Sequence, residues 1–194
     1  MKYNLSEITA VIQDRRSIAP EDYSDRKVHR EIIEDVLNNA KWAPTHGMVQ
    51  PWRFKIFLNE SVKIAGEKLI SIYKSVVPEE NLSRRKIDKM QKRADSLSSL
   101  IFICMSPDGN TTIPEIENIE AVACAVQNMY LTCTAYGLGC YWSSPKFIYT
   151  KEMNEFLGLK DDEKCLGIFY MGYPDKEWPK SHRKPLEYIT EWIE

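Results

Sequence analysis

The sequence predicts a layered α/β/α sandwich, and two observations lead to this fold class. Segments with helical apolar periodicity alternate with short apolar segments along the chain, which is typical of helices packed on a sheet. Two of the short segments, residues 100–105 and 166–171, are almost continuously apolar, as in strands covered on both faces. At 194 residues the chain is long enough for one domain with a buried core.

The individual elements follow from periodicity and from the residues that begin and end them. Asn4, with Glu7 three residues later, provides a capping-box start for the first helix, and Pro44 ends the second. Residues 52–57 alternate apolar and polar side chains, which predicts a strand. Gly172 and Pro174 end the last strand. The expected helices span residues 5–16, 29–42, 62–76, 79–95, 116–136 and 151–157, and the expected strands span 52–57, 100–105, 140–142 and 166–171.

Composition excludes several classes of protein. The chain has 26 Lys and Arg against 28 Asp and Glu, and this near balance argues against a dedicated nucleic-acid-binding protein. Five cysteines without a C-x-x-C pair, an odd number, indicate reduced thiols and no disulfide framework or metal site. The first residues contain no apolar stretch of the length that a secretory signal needs. We therefore expect a cytoplasmic protein.

One stretch, residues 121–145, carries no charge and is long enough to cross a bilayer. Polar residues and glycines interrupt it, and it ends in the turn-like sequence GLGCYWSSP. Those polar groups would be costly to place in lipid. The sequence therefore favours a helix buried in a core or a subunit interface, without membrane association.

The familiar catalytic motifs are missing, and this narrows the chemistry. The sequence contains no G-x-G-x-x-G or G-x-x-x-x-G-K-[ST] phosphate loop and no G-x-S-x-G or H-E-x-x-H motif. An enzyme with this sequence would therefore take its reactivity from an organic cofactor.

Three local groups of residues are candidates for binding such a cofactor. Arg15, Arg16 and Ser17 offer two guanidinium groups and a hydroxyl, which suit a phosphate or the polar edge of a flavin, or else serve the helix dipole and surface ion pairs. Residues 43–52 collect hydroxyl, imidazole, thioether, amide and indole groups in one loop, which is otherwise a common polar turn. Residues 137–145 follow the uncharged helix with two glycines and two serines, a pattern that also describes a simple helix end.

Taken together and in this order, the motifs resemble the FMN-dependent nitroreductase family, in its smaller-subunit type. The resemblance rests on RRS at 15–17, APTHGMVQPWRF at 43–54, GLGCYW at 137–142, GYP at 172–174 and RKP at 183–185, and it covers roughly residues 8–186. It implies an α+β fold with a mixed, mainly antiparallel sheet, a single domain over residues 1–194, and a homodimer with one FMN at each of two interface sites. Residues 175–194 would form a C-terminal arm that docks on the partner subunit.

The resemblance also implies which residues bind FMN. The Arg-Arg-Ser group would hold the phosphate, ribityl or pyrimidine part of the flavin, the loop after the second helix would come from the partner subunit, and the glycine-containing turn would run along the isoalloxazine. Two C-terminal cations are further phosphate candidates. The expected cofactor-binding residues are Arg15, Arg16, Ser17, Trp42, Thr45, His46, Met48, Gln50, Tyr141, Trp142, Ser143, Ser144, Arg183 and Lys184. His46 and Met48 stand where small Ser or Asn residues are usual in larger family members, which narrows the expected pocket.

The implied activity is the transfer of electrons from NAD(P)H through FMN to nitroaromatic, quinone or other electron-poor acceptors in a ping-pong cycle, with no catalytic side chain and with His46 as a candidate proton donor. Two alternatives remain: another flavin reaction on the same fold, such as enone reduction or dehalogenation, and a flavin-binding protein without turnover.

The basic segment 84–93 is interpreted as a solvated helix face, or as a cover over the flavin that attracts nicotinamide phosphates, with RNA contact much less favoured. The cysteines are expected to be buried and inert.

Overall fold

The computed structural model describes residues 2–109 and 112–194, and these form six α-helices around a four-stranded sheet. The three-layer α+β arrangement predicted from the sequence is confirmed. The helices are α1 (Leu5–Asp14), α2 (Arg30–Ala40), α3 (Glu60–Val76), α4 (Arg84–Ser96), α5 (Glu115–Ala135) and α6 (Lys151–Leu157), and the strands are β1 (Trp52–Leu58), β2 (Ser99–Met105), β3 (Gly139–Ser143) and β4 (Lys164–Gly172).

The strands lie in the order β1-β2-β4-β3, and all three neighbouring pairs are antiparallel. In the described residues, the mixed character predicted for the sheet is limited to one parallel bridge, between Ser17 after α1 and Cys140 of β3. The register of the central pair shifts between Ile103 and Cys104. Because β3 is an edge strand, the bridge brings the segment after α1 alongside the sheet.

Each face of the sheet is covered by its own helical layer. α2 and α5 bury apolar side chains such as Val36 and Met129 against strand residues that include Phe169. On the opposite face, side chains of α3 such as Leu69 pack with Phe102. The apolar residues of the predicted buried strands thus alternate between two cores, which is why those segments show no polar face.

Several helix ends differ from the predicted ones by one to five residues, and the structure explains two of these differences. α1 ends at Asp14 because Arg15 has an extended backbone, with φ −56° and ψ 124°, which leads into the bridge with β3. α4 begins at Arg84 and not at residue 79, because the Ser83 side chain accepts the Lys86 main-chain N–H as an N-cap. A separate 3-10 turn, Glu79–Asn81, precedes it.

Large apolar side chains stay exposed at both ends of the described chain. α1 has no buried residue, and the tail after β4 is irregular apart from one 3-10 turn, Leu186–Tyr188. The exposed apolar residues of these two regions include Leu5, Ile8, Ile12, Leu186, Tyr188, Ile189, Trp192 and Ile193.

Among the described residues, none of the helices combines the length and the apolarity needed to cross a bilayer. The predicted burial of the cysteines holds for four of them, whereas Cys124 is exposed on α5.

Candidate functional site

A tyrosine on α5 connects the Arg-Arg-Ser segment to the sheet. The Tyr130 phenolic oxygen accepts the main-chain N–H of Trp142 at 2.7 Å and lies 3.4 Å from Ser17 Oγ. Because its oxygen already accepts from β3, the Tyr130 hydroxyl can direct its own proton to Ser17. Ser17 would then keep its proton free for a ligand. Burial is the main cause that raises the pKa of Tyr130, so the phenol stays neutral at physiological pH.

Arg15 completes this cluster. Its guanidinium lies 5.2 Å from the centre of the Tyr130 ring, and its Nη1 lies 3.5 Å from Ser17 Oγ. No carboxylate of the described residues forms an ion pair with Arg15, so its remaining N–H groups are available. A planar guanidinium next to a hydroxyl is the donor set that a phosphate or the pyrimidine edge of a flavin requires. The Arg15 guanidinium and the Ser17 hydroxyl therefore lie side by side, and their role in binding FMN stays a prediction.

The close approach of the two chain segments depends on a glycine. The Ile18 main-chain N–H donates to the Cys140 carbonyl oxygen at 2.9 Å. A Cβ atom at Gly139 would lie only 3.0 Å from Ile18 Cβ. Gly139 therefore allows the segment that carries Ser17 to lie directly beside β3.

Arg16 points away from this cluster. Its Nη1 donates to the carbonyl oxygens of Gln13 and Arg15, and its Nε donates to the Pro179 carbonyl oxygen at 2.8 Å. Nearby, Trp178 Nε1 donates to the Asp14 carbonyl oxygen. Arg16 thus satisfies carbonyl groups at the end of α1 and fastens the C-terminal tail there. This geometry matches the helix-end alternative for Arg16.

The predicted turn residues of β3 divide between the two faces of the sheet. The Trp142 indole packs toward the α5 core and against Gly167. A Cβ atom added at Gly167 would lie only 2.1 Å from Trp142 Nε1, so the indole occupies the space that a side chain would need there. Trp142 Nε1 is buried with no hydrogen-bond partner in the described structure. Tyr141 and Ser143 face α4 on the other side, and Ser144 is exposed. The Trp142 indole therefore serves packing. Ser143 and Ser144 are the side chains of this turn whose hydroxyls form no hydrogen bond among the described residues.

A basic residue of α4, Arg93 of the charged segment 84–93, lies beside this turn. The guanidinium of Arg93 is 4.9 Å from the Tyr170 ring centre and pairs with Glu21 at 2.6 Å. Lys89 pairs with the same carboxylate at 3.1 Å. Partial burial alone would raise the pKa of Glu21, but the hydrogen bonds from Arg93 and Lys89 lower it below its usual value. These ion pairs fasten α4 to the segment after Ser17.

The loop between α2 and β1 lies apart from this cluster within one chain. Thr45 Oγ1 accepts the Gln50 main-chain N–H, and His46 Nδ1 lies 2.6 Å from a carboxylate oxygen of Glu117 on α5. Met48 and Gln50 both have positive φ angles, 57° and 49°, which are unusual for residues other than glycine. No hydrogen bond or ring contact found among the described residues links this loop to Arg15, Ser17 or Trp142.

The remaining predicted residues are exposed. Trp42 is 80% exposed and Met48 74% exposed, although both are large and apolar. Arg183 donates to Ser181 Oγ and to the His182 carbonyl oxygen, and Lys184 is exposed. No hydrogen bond among the described residues links either C-terminal cation to Arg15 or Ser17. Exposed apolar side chains of this size are costly to leave in water.

Sequence reasoning did not identify Tyr130 or Arg93. Tyr130 is the single aromatic residue of α5 and lies in the uncharged part of that helix, where nothing in the local pattern separates it from the core residues around it. Arg93 is the last of six cations in residues 84–93, and only the packing of α4 distinguishes it from the others.

Known proteins share the sequence pattern and the fold of this chain. The model of the nitroreductase family matches residues 12–173. A Bacillus subtilis protein provisionally named NAD(P)H nitroreductase YfhC is 28% identical over 178 residues, which cover 91% of this chain and 89% of the relative. The crystal structure of a nitroreductase-like family protein from Bacillus cereus superimposes with a TM-score of 0.83 at 29% identity, covering 100% of this chain and 98% of that one. A Desulfovibrio desulfuricans protein provisionally described as a nitroreductase, crystallised with FMN, shares the fold with a TM-score of 0.73 at 22% identity, covering 99% of both chains.

Proposed function

The chain belongs to the nitroreductase family, and we propose that it is an FMN-dependent oxidoreductase that uses NAD(P)H to reduce nitroaromatic, quinone or other electron-poor acceptors. The observation that carries this proposal is the group formed by Arg15, Ser17 and Tyr130 beside β3, which leaves donors free at the edge of the sheet. The names of the relatives, NAD(P)H nitroreductase for YfhC among them, and the FMN complex of a structural neighbour support the cofactor and the reductant.

The donors present in this chain fit a flavin mononucleotide. Arg15 would bind its phosphate or its pyrimidine edge, because a guanidinium matches both geometries. Ser17 would donate its hydroxyl proton, and Ser143 and Ser144 would offer hydroxyls along the ring. We keep Arg16, Tyr141 and Trp142 as framework for this site, since the side chains of Arg16 and Trp142 are engaged in tail and core contacts.

We also propose that each site is built from two copies of the chain. Trp42, Thr45, His46, Met48 and Gln50 would come from the partner subunit, because no hydrogen bond or ring contact among the described residues links their loop to Arg15 or Ser17 in one chain. The exposed apolar face of α1 and the exposed apolar residues of the tail would be covered in the homodimer, which removes surface that is costly to leave in water. Arg183 and Lys184 could then reach a phosphate as the tail docks on the partner.

The bound flavin would supply the two-electron chemistry, and the protein would supply binding, orientation and a positive field. We propose that NAD(P)H and the acceptor occupy the same space in turn, which gives ping-pong kinetics. His46 Nδ1 is placed to share a proton with Glu117, so this pair is the candidate proton source at the partner side of the site. The five free thiols suit a cytoplasmic location.

The test uses purified protein titrated with FMN and then with NADH or NADPH under nitrogen. The proposal predicts a yellow protein whose visible absorption is bleached by the nicotinamide and restored by nitrofurazone or menadione, with parallel lines in double-reciprocal plots. Bleached protein that only enones or halogenated phenols reoxidise would favour another flavin reaction. Yellow protein that neither nicotinamide bleaches would favour flavin binding without turnover. A protein that binds no FMN would contradict all three.

A further inference from the structure

An apolar cavity of about 220 Å³ lies between α3, α4 and the sheet. Leu69, Leu100, Phe147 and Ile168 are among its walls, and all four are largely buried. An engineered protein cavity of about 150 Å³ with a similar aliphatic and aromatic lining is known to bind benzene. The cavity therefore has room for an aromatic ring system somewhat larger than benzene.

One wall of this cavity is cationic. Lys86, Lys89 and Arg93 line it from successive turns of α4, at a spacing that places them on one face of the helix. Lys89 and Arg93 share a single carboxylate, that of Glu21. Three cations and one acid leave this wall of the cavity with a net positive charge, which favours an anionic ligand.

Of the three cations that line the cavity, Lys86 is the one that forms no ion pair with a carboxylate of the described residues. Its ammonium lies 4.3 Å from the centre of the Tyr73 ring and 5.1 Å from that of Phe147. No carboxylate in the described part of the chain forms an ion pair with it. The aromatic rings hold the charge in place at the cavity wall without neutralising it.

The cavity is separate from the Arg15 cluster. Successive residues of a strand face opposite sides of a sheet, so Tyr141 and Ser143 line the cavity while Trp142 packs on the α5 side. Neither Arg15 nor Ser17 lines the cavity. Ser143, which we also assign to the flavin, lies where the two sites adjoin, whereas Lys86 and the apolar walls of the cavity belong to the cavity alone.

We propose that this cavity is a binding site for a small aromatic carboxylate, with the ring between α3 and β4 and the carboxylate paired with Lys86. The apolar walls would take the ring out of water, which is the main source of affinity for such a ligand. The carboxylate would gain a charge-assisted hydrogen bond at the half-buried cavity wall. The same ring with a neutral amide would lose that contact and bind more weakly.

The proposal is tested by calorimetric titration of the full-length protein, with and without added FMN, using 2-naphthoate and its neutral analogue 2-naphthamide. We expect 2-naphthoate to bind about tenfold more tightly than the amide. Lys86→Gln should weaken 2-naphthoate about five- to tenfold and leave the amide unchanged. Lys92→Gln is the matched control, because Lys92 is an exposed cation of the same helix that does not line the cavity.

A second pair of variants tests the position of the ring. Leu97 lines the cavity and is half-buried at the end of α4. Leu97→Trp should fill the space and abolish binding, whereas Leu97→Ala should enlarge it and preserve binding; thermal unfolding shows whether each variant is folded. Equal losses in Lys86→Gln and Lys92→Gln, equal affinity for the acid and the amide, or full binding by folded Leu97→Trp would each overturn the proposal.

Discussion

The main-chain N–H of Trp142 donates to the phenolic oxygen of Tyr130 at 2.7 Å, and this bond joins the edge strand to the long helix behind it. The same phenol lies within reach of Ser17, and its ring lies under the guanidinium of Arg15. One buried side chain thus sets the relative positions of a strand, a helix and the two polar residues that we assign to FMN.

Tyr130→Phe should destabilise the fold and weaken FMN binding together. The change leaves the Trp142 N–H without its acceptor, and a lost hydrogen bond of this kind costs about 1–3 kcal/mol. Urea unfolding measures the first effect and FMN titration the second. Tyr149→Phe is the control, because Tyr149 is 59% exposed. Equal stability of the two variants would mean that the Tyr130 hydroxyl does not organise the site.

Arg15 and Arg16 should respond differently to the same substitution. Arg15→Gln should weaken FMN binding by about 1.5–3 kcal/mol, because it removes a charge-assisted contact. Arg16→Gln should leave FMN affinity nearly unchanged and make the tail more sensitive to protease, since Arg16 donates to the Pro179 carbonyl. Fluorescence titration and limited proteolysis separate the two roles. A larger loss of FMN affinity in Arg16→Gln would reverse our assignment.

The ion pairs of Glu21 should make stability depend on pH in the acidic range. A carboxyl group with a lowered pKa in the folded state stabilises the protein above its unfolded pKa of about 4.3, and the stabilisation disappears as the pH falls through the lower folded value. The effect should be about 1 kcal/mol or less, because 34% of the Glu21 side chain is exposed.

Urea unfolding of wild type and Glu21→Gln across this range measures it. The difference in unfolding free energy should be present at pH 7 and close below about pH 4. Glu79→Gln, at an exposed carboxyl on the neighbouring turn, is the control. A difference between wild type and Glu21→Gln that stays constant down to acidic pH would exclude this explanation.

Gly139→Ala should disturb the contact between β3 and the segment after α1. The added methyl group would lie 3.0–3.2 Å from three atoms of the Ile18 side chain. Crowding of this kind typically costs about 1–3 kcal/mol, and FMN affinity should fall as well because Ser17 precedes Ile18. Gly109→Ala is the control, since no heavy atom lies within 4 Å of its added carbon. Equal melting temperatures of both variants would contradict the close-packing argument.

The sequence was sufficient to predict the layers and the location of most strands and helices, because buried strands and amphipathic helices have distinct periodicities. It also identified Arg15 and Ser17 as candidate FMN-binding residues, an assignment that stays a prediction. The direction of individual side chains could not be predicted from periodicity. Whether Trp142 faces a ligand or the core depends on the strand register, which pairs Trp142 with Phe169. Long-range pairs such as Arg93 with Glu21 likewise depend on tertiary packing, which no local pattern encodes.

The central claim is that one FMN site takes Arg15 from one chain and the loop around Thr45 from its partner. Arg15→Glu and Thr45→Glu should each abolish FMN binding in their own homodimers. If the two variants are unfolded, mixed and refolded, half of the dimers are hybrids, and each hybrid carries one intact site. We therefore expect FMN binding to return at about a quarter of all sites. No recovery in mixtures that sedimentation shows to contain hybrid dimers would contradict the two-chain site.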